Sequence, residues 1–297
     1  MSVDSQPKLA ASTRLALGTV QMGLEYGVAN THGRMNLAEA GRVLYQARAE
    51  GMDMLDTAIA YGESEERLGE IGVAGWNIVS KLPGLPKGDE DVREWVADQV
   101  RASLRRLRVA QLGGLLLHRP TDLLESHGQA LWEALEEMRT EGLVRKIGIS
   151  IYDPAELDAL LPRYAMQLVQ APFNLLDRRL VTSGWAYQLA DQGIEIHTRS
   201  VFLQGLLLMK ERPARFALWA PLLARWDAWR AANGEDGVAA CLQFALSYPQ
   251  ISKVVVGVDS VAQLRGILAA AGCAHGRWPD DLRSDDSILM NPSQWPR

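Results

Sequence analysis

Gly113-Gly-Leu-Leu-Leu-His118, Leu123–Glu141 and Arg145-Lys-Ile-Gly-Ile-Ser150 follow one another in mid-chain. Two short apolar runs flank a longer amphipathic one that stops at Gly142. The runs lack polar alternation, as parallel strands buried on both faces do. A glycine just past an amphipathic run suits a helix ending in the left-handed conformation. The segment reads as strand, crossover helix, strand.

The pattern extends in both directions. Further candidate strands are Arg14–Gly18, Met52–Asp56, Asn77–Lys81, Leu168–Ala171, Ile194–Ser200 and Ser252–Gly257. Helix-like stretches lie between them at Leu37–Glu50, Glu65–Ile71, Asp91–Leu107, Pro154–Leu160, Val181–Asp191, Val238–Ser247 and Val261–Ala270. In Asp91–Leu107, Val92, Trp95, Val96, Val100, Leu104 and Leu107 fall on one helical stripe. Eight strands alternating with helices predict a single-domain α/β fold, a closed (β/α)8 TIM barrel over residues 12–273. An open doubly wound sheet is the rival, but its G-x-G-x-x-G fingerprint after the first strand is missing. Phe216–Asn233, with Trp219, Trp226 and Trp229, reads as a helix inserted before strand eight. Its tryptophans plug the outside of the barrel or, on the other reading, form a substrate lid. Residues 274–297, with three prolines and a run of acids, read as an irregular C-terminal tail.

Composition narrows the function. The 297 residues are 47% hydrophobic and 23% charged, the balance of a globular chain. Thirty-one basic against 36 acidic residues give a net charge of −5, which offers no footprint for nucleic acid. Cys241 and Cys273 form no C-x-x-C spacing, so neither a disulfide framework nor a thiolate zinc site is expected. His32, His127, His197 and His275 show no ligand spacing, and no metal is assigned. No apolar run reaches the roughly 18 residues of a membrane span, and the N-terminus shows no signal peptide. A reducing, cytoplasmic setting is expected.

In a barrel, reactive groups stand at the C-terminal ends of strands. Strand two closes on Asp56, with Tyr61 in the following turn; strand three closes on Lys81 and strand four on His118. Singly, each has an ordinary explanation: a helix cap, loop packing, a solvated ammonium, a hydrogen-bonded core histidine. Together they form a coherent site. A free phenol, with pKa near ~10, is a poor proton donor at neutral pH. An ammonium nearby favours the phenolate, so Lys81 is expected to lower the pKa of Tyr61 toward a working value. Asp56 would keep Lys81 charged and oriented. His118 can hydrogen-bond the carbonyl oxygen that Tyr61 protonates. Such a site delivers a proton and contains no nucleophile, so the carbon must receive hydride from a cofactor.

Leu17-Gly-Thr, Leu55-Asp-Thr-Ala-Ile-Ala-Tyr-Gly-Glu-Ser-Glu, Ser80-Lys-Leu, Leu117-His-Arg-Pro and Ile147-Gly-Ile-Ser stand in the order of known motifs. Val169-Gln-Ala-Pro-Phe-Asn-Leu-Leu-Asp, Arg199-Ser-Val-Phe-Leu-Gln-Gly-Leu-Leu and Val256-Gly-Val-Asp-Ser-Val-Ala-Gln-Leu follow them. Over residues 14 to 270 the chain resembles the aldo-keto reductases, and Leu17–Asn30 resembles their branch associated with sugar and surface-polysaccharide metabolism. The resemblance implies that Asp56, Tyr61, Lys81 and His118 are the catalytic tetrad of an NADP-dependent oxidoreductase. It would reduce an aldehyde, ketone or sugar carbonyl, or run the reverse oxidation. NADPH would lie across the barrel mouth, and the protein would be monomeric.

Residue by residue, the resemblance assigns Ser150 and Gln170 to the nicotinamide carboxamide, and Ser200, Phe202 and Gln204 to the loop over the pyrophosphate. Gly257, Asp259, Ser260 and Gln263 fall at the adenosine end. Ile151 replaces the family's usual Asn after Ser150, so Asn174 or a water would supply that hydrogen bond, and Ile267 replaces an adenine-binding Asn. Asp259 is a like charge to a 2′-phosphate, and no basic residue follows it until Arg265. NADPH is therefore expected with a reduced preference, NAD being the alternative. Met22, Tyr26, Tyr152 and Trp185 lie where relatives build substrate walls; Tyr26 and Tyr152 read equally as polyol donors or as loop packing. Glu65-Glu66-Arg67 reads as the solvated first turn of a helix. A redox-sensing barrel with little turnover is the alternative class.

Overall fold

A computed structural model describes residues 11–31, 33–86, 88, 91–272 and 278–296. His32, Cys273 and His275 lie outside the described residues. Strand β1 (Leu15–Gly18) is followed by a single helical turn, α1 (Val20–Gly23), and by α2 (Leu37–Ala49). Then come β2 (Met54–Asp56), α3 (Ser64–Ile71), β3 (Asn77–Leu82), α4 (Val92–Leu107), β4 (Gly114–Leu117) and α5 (Gly128–Thr140). They are followed by β5 (Ile147–Ser150), α6 (Glu156–Leu160), β6 (Leu168–Pro172), the turn α7 (Arg179–Thr182) and α8 (Trp185–Asp191). The chain continues through β7 (Glu195–Arg199), α9 (Ala220–Asn233), α10 (Gly237–Leu246), β8 (Lys253–Gly257), α11 (Val261–Ala271) and the short α12 (Ser287–Met290). The eight strands close into a barrel in sequence order, every neighbouring pair parallel.

The core has two parts. A large apolar shell lies between strands and helices, and a small cluster of Ala16, Met54, Val79, Leu116, Leu168 and Val255 fills the barrel interior. Side chains two apart on a strand share a face. The residues two positions beyond this interior cluster are Gly18, Asp56, Lys81, His118, Gln170 and Gly257. One apolar layer thus forms the floor on which a polar layer stands. Gly148 completes the floor on β5, where a Cβ would fall 1.7 Å from Leu168 O.

Expected and observed elements differ where glycines intervene. The stretch expected as one helix over Leu123–Glu141 is a 3-10 turn, Pro120–Leu124, followed by α5. Gly128 presses against Leu123 so closely that a Cβ would lie 2.0 Å from its carbonyl oxygen. Val181–Asp191 is likewise divided at Gly184, whose φ is +84°. The inserted segment is a 3-10 turn, Ala214–Trp219, leading into α9. Trp226 is fully buried and donates Nε1 to Leu207 O at 2.8 Å, bracing the loop after β7. Trp219 donates Nε1 to Asp286 at 2.8 Å, and Trp295 packs edge-on against Phe216, which fastens residues 278–296 to the same side. Among the described residues no helix is long and apolar enough to cross a membrane.

Trp226→Ala should therefore destabilise the barrel by about 3–5 kcal/mol, the usual cost of emptying a buried indole site. Guanidinium unfolding checks this; a midpoint close to wild type would show that the indole is not structural.

Candidate active site

Parallel strand ends and the two-residue alternation bring four of the predicted residues to one floor. Lys81 Nζ lies 2.6 Å from Asp56 Oδ1 and donates to Thr57 O at 2.9 Å, both side chains almost fully buried. The second oxygen of Asp56 accepts from Gln170 Nε2 at 2.6 Å, and Ser150 Oγ donates to Gln170 Oε1 at 3.2 Å. Lys81, Asp56, Gln170 and Ser150 form one continuous chain of polar contacts. The Tyr61 ring lies above it, its centroid 5.2 Å from Lys81 Nζ, and the His118 ring meets it edge-on at 5.9 Å.

The turn that carries Tyr61 is held from below. Thr57 N donates to Val79 O and Ile59 N to Lys81 O, while Ser64 Oγ donates to Thr19 O and Thr19 Oγ1. Gly23 backs directly onto this turn: a Cβ there would sit 1.8 Å from Tyr61 O. Glu65, expected in solvent, is instead 1% exposed. Its carboxylate accepts from Ser80 and Ser103 hydroxyls at 2.7 Å each and from Arg106 at 2.6 Å. Those donors come from β3 and α4, and they draw α3 inward beside Asp56 and Lys81.

Electrostatics revise one expectation. Burial and the Asp56 carboxylate raise the Tyr61 pKa above a phenol's ordinary value, and only Arg199 opposes them appreciably. The charge of Lys81 is directed at Asp56, so Tyr61 stays a protonated phenol at neutral pH. Burial lowers the pKa of Lys81, while Asp56 pulls it back up. Burial, then Lys81 and Arg199, depress His118 to about 4. Its imidazole is neutral at pH 7 and retains an N–H to donate.

A cleft of about 420 Å³ opens from this floor. It runs from Asp56 and Tyr61 past Arg199, Ser200, Phe202 and Gln204 to Gly257, Asp259, Gln263 and Ile267. The loop over its middle carries left-handed conformations at Ser200, Leu203 and Gln204, three non-glycine residues with φ between 48° and 62°. Strain of this kind persists where surrounding contacts fix it. Here Asn174 Nδ2 donates to Ser200 O, Val28 N to Gln204 O, and Gln204 Nε2 to Tyr26 OH. Ser260 caps α11, accepting from Gln263 N.

Other predicted residues are placed differently. Met22 is buried in the apolar shell and does not line the cleft. Trp185 donates to Asp158. Tyr152 lies under the Arg199 guanidinium, 4.4 Å from ring centroid to Cζ. Asn174 spends its oxygen on the amides of Leu176 and Asp177, so it does not replace the Asn missing at Ile151. Sequence reasoning passed over Gln21, Arg199 as a wall facing Tyr61, and Gly266. Gly266 was detectable, since Gly266 and Ile267 stand three and four residues after Gln263 on the same helix.

A model of the aldo/keto reductase family matches residues 14–274. The chain belongs to that family. This aldo/keto reductase is thus an oxidoreductase of a family that acts on small-molecule carbonyl compounds with nicotinamide cofactors. It is 26% identical to the uncharacterized oxidoreductase YqkF of Bacillus subtilis over 251 residues, covering 77% of this chain and 81% of that protein. It is 28% identical to a D-threo-aldose 1-dehydrogenase from Pseudomonas over 88% of this chain and 92% of that one. The holo form of an aldo-keto reductase from Bacillus halodurans superposes with a TM-score of 0.70 at 20% identity, covering 88% of this chain and 87% of that chain.

Gly23→Ala tests how far the turn depends on close backbone approach. The added methyl must displace Tyr61, and a displacement near 1 Å is expected to lower turnover by about 10²-fold. Circular dichroism checks that the barrel remains folded; wild-type turnover in a folded variant would contradict the packing account.

Proposed function

We propose that this chain reduces the carbonyl of a small aldehyde, ketone or sugar, and runs the reverse oxidation, with Tyr61 as the proton donor. One observation carries the reading: a protonated Tyr61 lines the cleft above the buried Asp56–Lys81 pair and beside a neutral His118.

The cleft fits a nicotinamide dinucleotide. It is elongated, its volume falls in the ~300–1,000 Å³ range of ligand pockets, and glycines at 18, 27, 205, 257 and 266 open its walls. At Gly266 a Cβ would meet nothing within 4 Å, so the wall there is free space. The buried Gln21 Oε1 on the lining has no hydrogen-bond partner among the described residues, an acceptor for a ligand donor. Ser200, Phe202 and Gln204 would hold the middle of the cofactor, and Gly257, Asp259 and Gln263 its adenosine end, with Ser260 fixing the helix start. Ser150 and Gln170, which the resemblance assigns to the nicotinamide carboxamide, are buried off the cleft lining and engaged with each other and with Asp56. Their part would be to fix the layer beneath the nicotinamide. Bound there, the nicotinamide supplies or accepts hydride.

The protein's own groups do the rest. Tyr61 donates its phenolic proton to the carbonyl oxygen as negative charge develops on it. His118, neutral, donates a second hydrogen bond to the same oxygen and orients the substrate. Arg199, the cation that favours the ionised phenol, then stabilises the phenolate left behind, while Asp56 keeps the Lys81 ammonium in place beneath the ring. Tyr26, Gln204 and Arg199 make a polar lip that suits a hydroxylated substrate, in line with the aldose named for the Pseudomonas relative.

Tyr61→Phe removes only the proton donor. It should retain nucleotide binding and lose about 10²–10⁴-fold in turnover, measured as oxidation of reduced nicotinamide with a panel of aldehydes, ketones and aldoses. Turnover within a few-fold of wild type would exclude Tyr61 as the acid. Nucleotide binding with no turnover of any carbonyl by the wild type would favour a redox-sensing barrel.

A further inference from the structure

Helix α11 starts beneath the far end of the cleft, where Gly257, Asp259, Gln263, Gly266 and Ile267 form the lining. Backbone donors at that start are engaged from within the chain. Glu39 Oε1, reaching across from α2, accepts from Val261 N at 2.8 Å. Ser260 Oγ accepts from Gln263 N at 3.2 Å, and Gln263 Oε1 accepts from Asp259 N at 2.8 Å. The other Glu39 oxygen is bound by Arg42 Nε at 2.9 Å. The Val261 amide and the Arg42 guanidinium hold the Glu39 carboxyl below its ordinary pKa, so it is ionised. Arg265, the next cation along the helix, points its Nη2 at Gln46 Oε1, 3.0 Å away.

A dinucleotide whose reactive ring lies at Tyr61 would place its adenosine at this end, because the cleft lining runs from Tyr61 past Ser200 and Gln204 to Gly257, Asp259 and Gln263. The two nicotinamide dinucleotides differ only by a 2′-phosphate, which adds up to about two negative charges. Helix N-terminal amides are the usual seat for such a group. Here that seat already holds the Glu39 carboxylate, with Asp259 on the adjoining wall, and Arg42 is engaged by Glu39 rather than turned to the cleft lining. Asp259, on the lining, can accept from unmodified ribose hydroxyls and repels phosphate, while Glu39 occupies the Val261 amide that a phosphate would otherwise use.

We propose that Glu39 is a specificity-determining residue whose carboxylate, seated on the N-terminus of α11 beside Asp259, makes this protein select NAD(H) over NADP(H). The inference rests on the cleft being a nicotinamide dinucleotide site, and it reverses the NADPH preference that family resemblance implies.

The test is isothermal titration calorimetry of the full chain with NAD⁺ and with NADP⁺, for wild type, Glu39→Gln and Glu39→Ala. Wild type should bind NAD⁺ at least about tenfold more tightly, the worth of one hydrogen bond to a charged group. Glu39→Gln keeps an acceptor for the Val261 amide and removes the charge; Glu39→Ala also releases Arg42. Both should lower the NAD⁺/NADP⁺ affinity ratio by about tenfold or more, through tighter NADP⁺ binding. Tighter binding of NADP⁺ by wild type, or the same ratio in all three proteins, would overturn the role of Glu39. Binding of neither nucleotide by wild type would overturn the dinucleotide site itself, and the inference with it.

Discussion

Lys81 carries an ammonium into the barrel mouth with almost no contact with water, and one carboxylate 2.6 Å away compensates it. Burying a charge is tolerable only when it is paired and its remaining hydrogen-bonding capacity is used. The site supplies both. Thr57 O takes a second Lys81 proton, and Gln170 donates to the free oxygen of Asp56. Gln170 is fixed in turn by Ser150, so strands β2, β3, β5 and β6 are tied together at their C-terminal ends by one network. The Tyr61 turn and the His118 ring rest on this platform.

The same network shapes the chemistry proposed for the site. Because Asp56 neutralises Lys81, the phenol above them is not driven toward phenolate in the resting protein. It remains a proton source until a carbonyl oxygen begins to gather charge. Arg199, which stands at the end of β7 and lines the cleft, is the cation that favours phenolate. It also donates to Ile151 O at 3.0 Å and covers Tyr152, linking the loops after β5 and β7 at the edge of the site.

The barrel was legible in the sequence because buried parallel strands are short, apolar and evenly spaced. The chemistry was legible because Asp56, Lys81 and His118 each interrupt an apolar run at the point where a strand must end. What escaped reading depends on partners distant along the chain. Ser-Glu-Glu-Arg looks like a solvated helix start, yet Glu65 is buried by donors 15 to 41 residues away. Glu39 belongs to an exposed-looking turn of α2 and meets Val261 across 222 residues. Asn174 matched a ligand by type, but its side chain is consumed by its own turn. The Tyr61 shift runs opposite to the expected one because the sequence places Lys81 near the phenol but does not reveal the burial and the Asp56 charge that outweigh it.

A double-mutant cycle on Asp56 and Lys81 tests the central pair most directly, read as unfolding free energy from denaturant titration. Asp56→Asn leaves the ammonium buried without its counter-charge and should cost about 3–5 kcal/mol. Asp56→Asn combined with Lys81→Met removes both charges and should be more stable than Asp56→Asn alone. If Asp56→Asn costs no more than about 1 kcal/mol, as an exposed pair would, or if the double variant is no more stable than it, the pair is not the constraint on which the site is built.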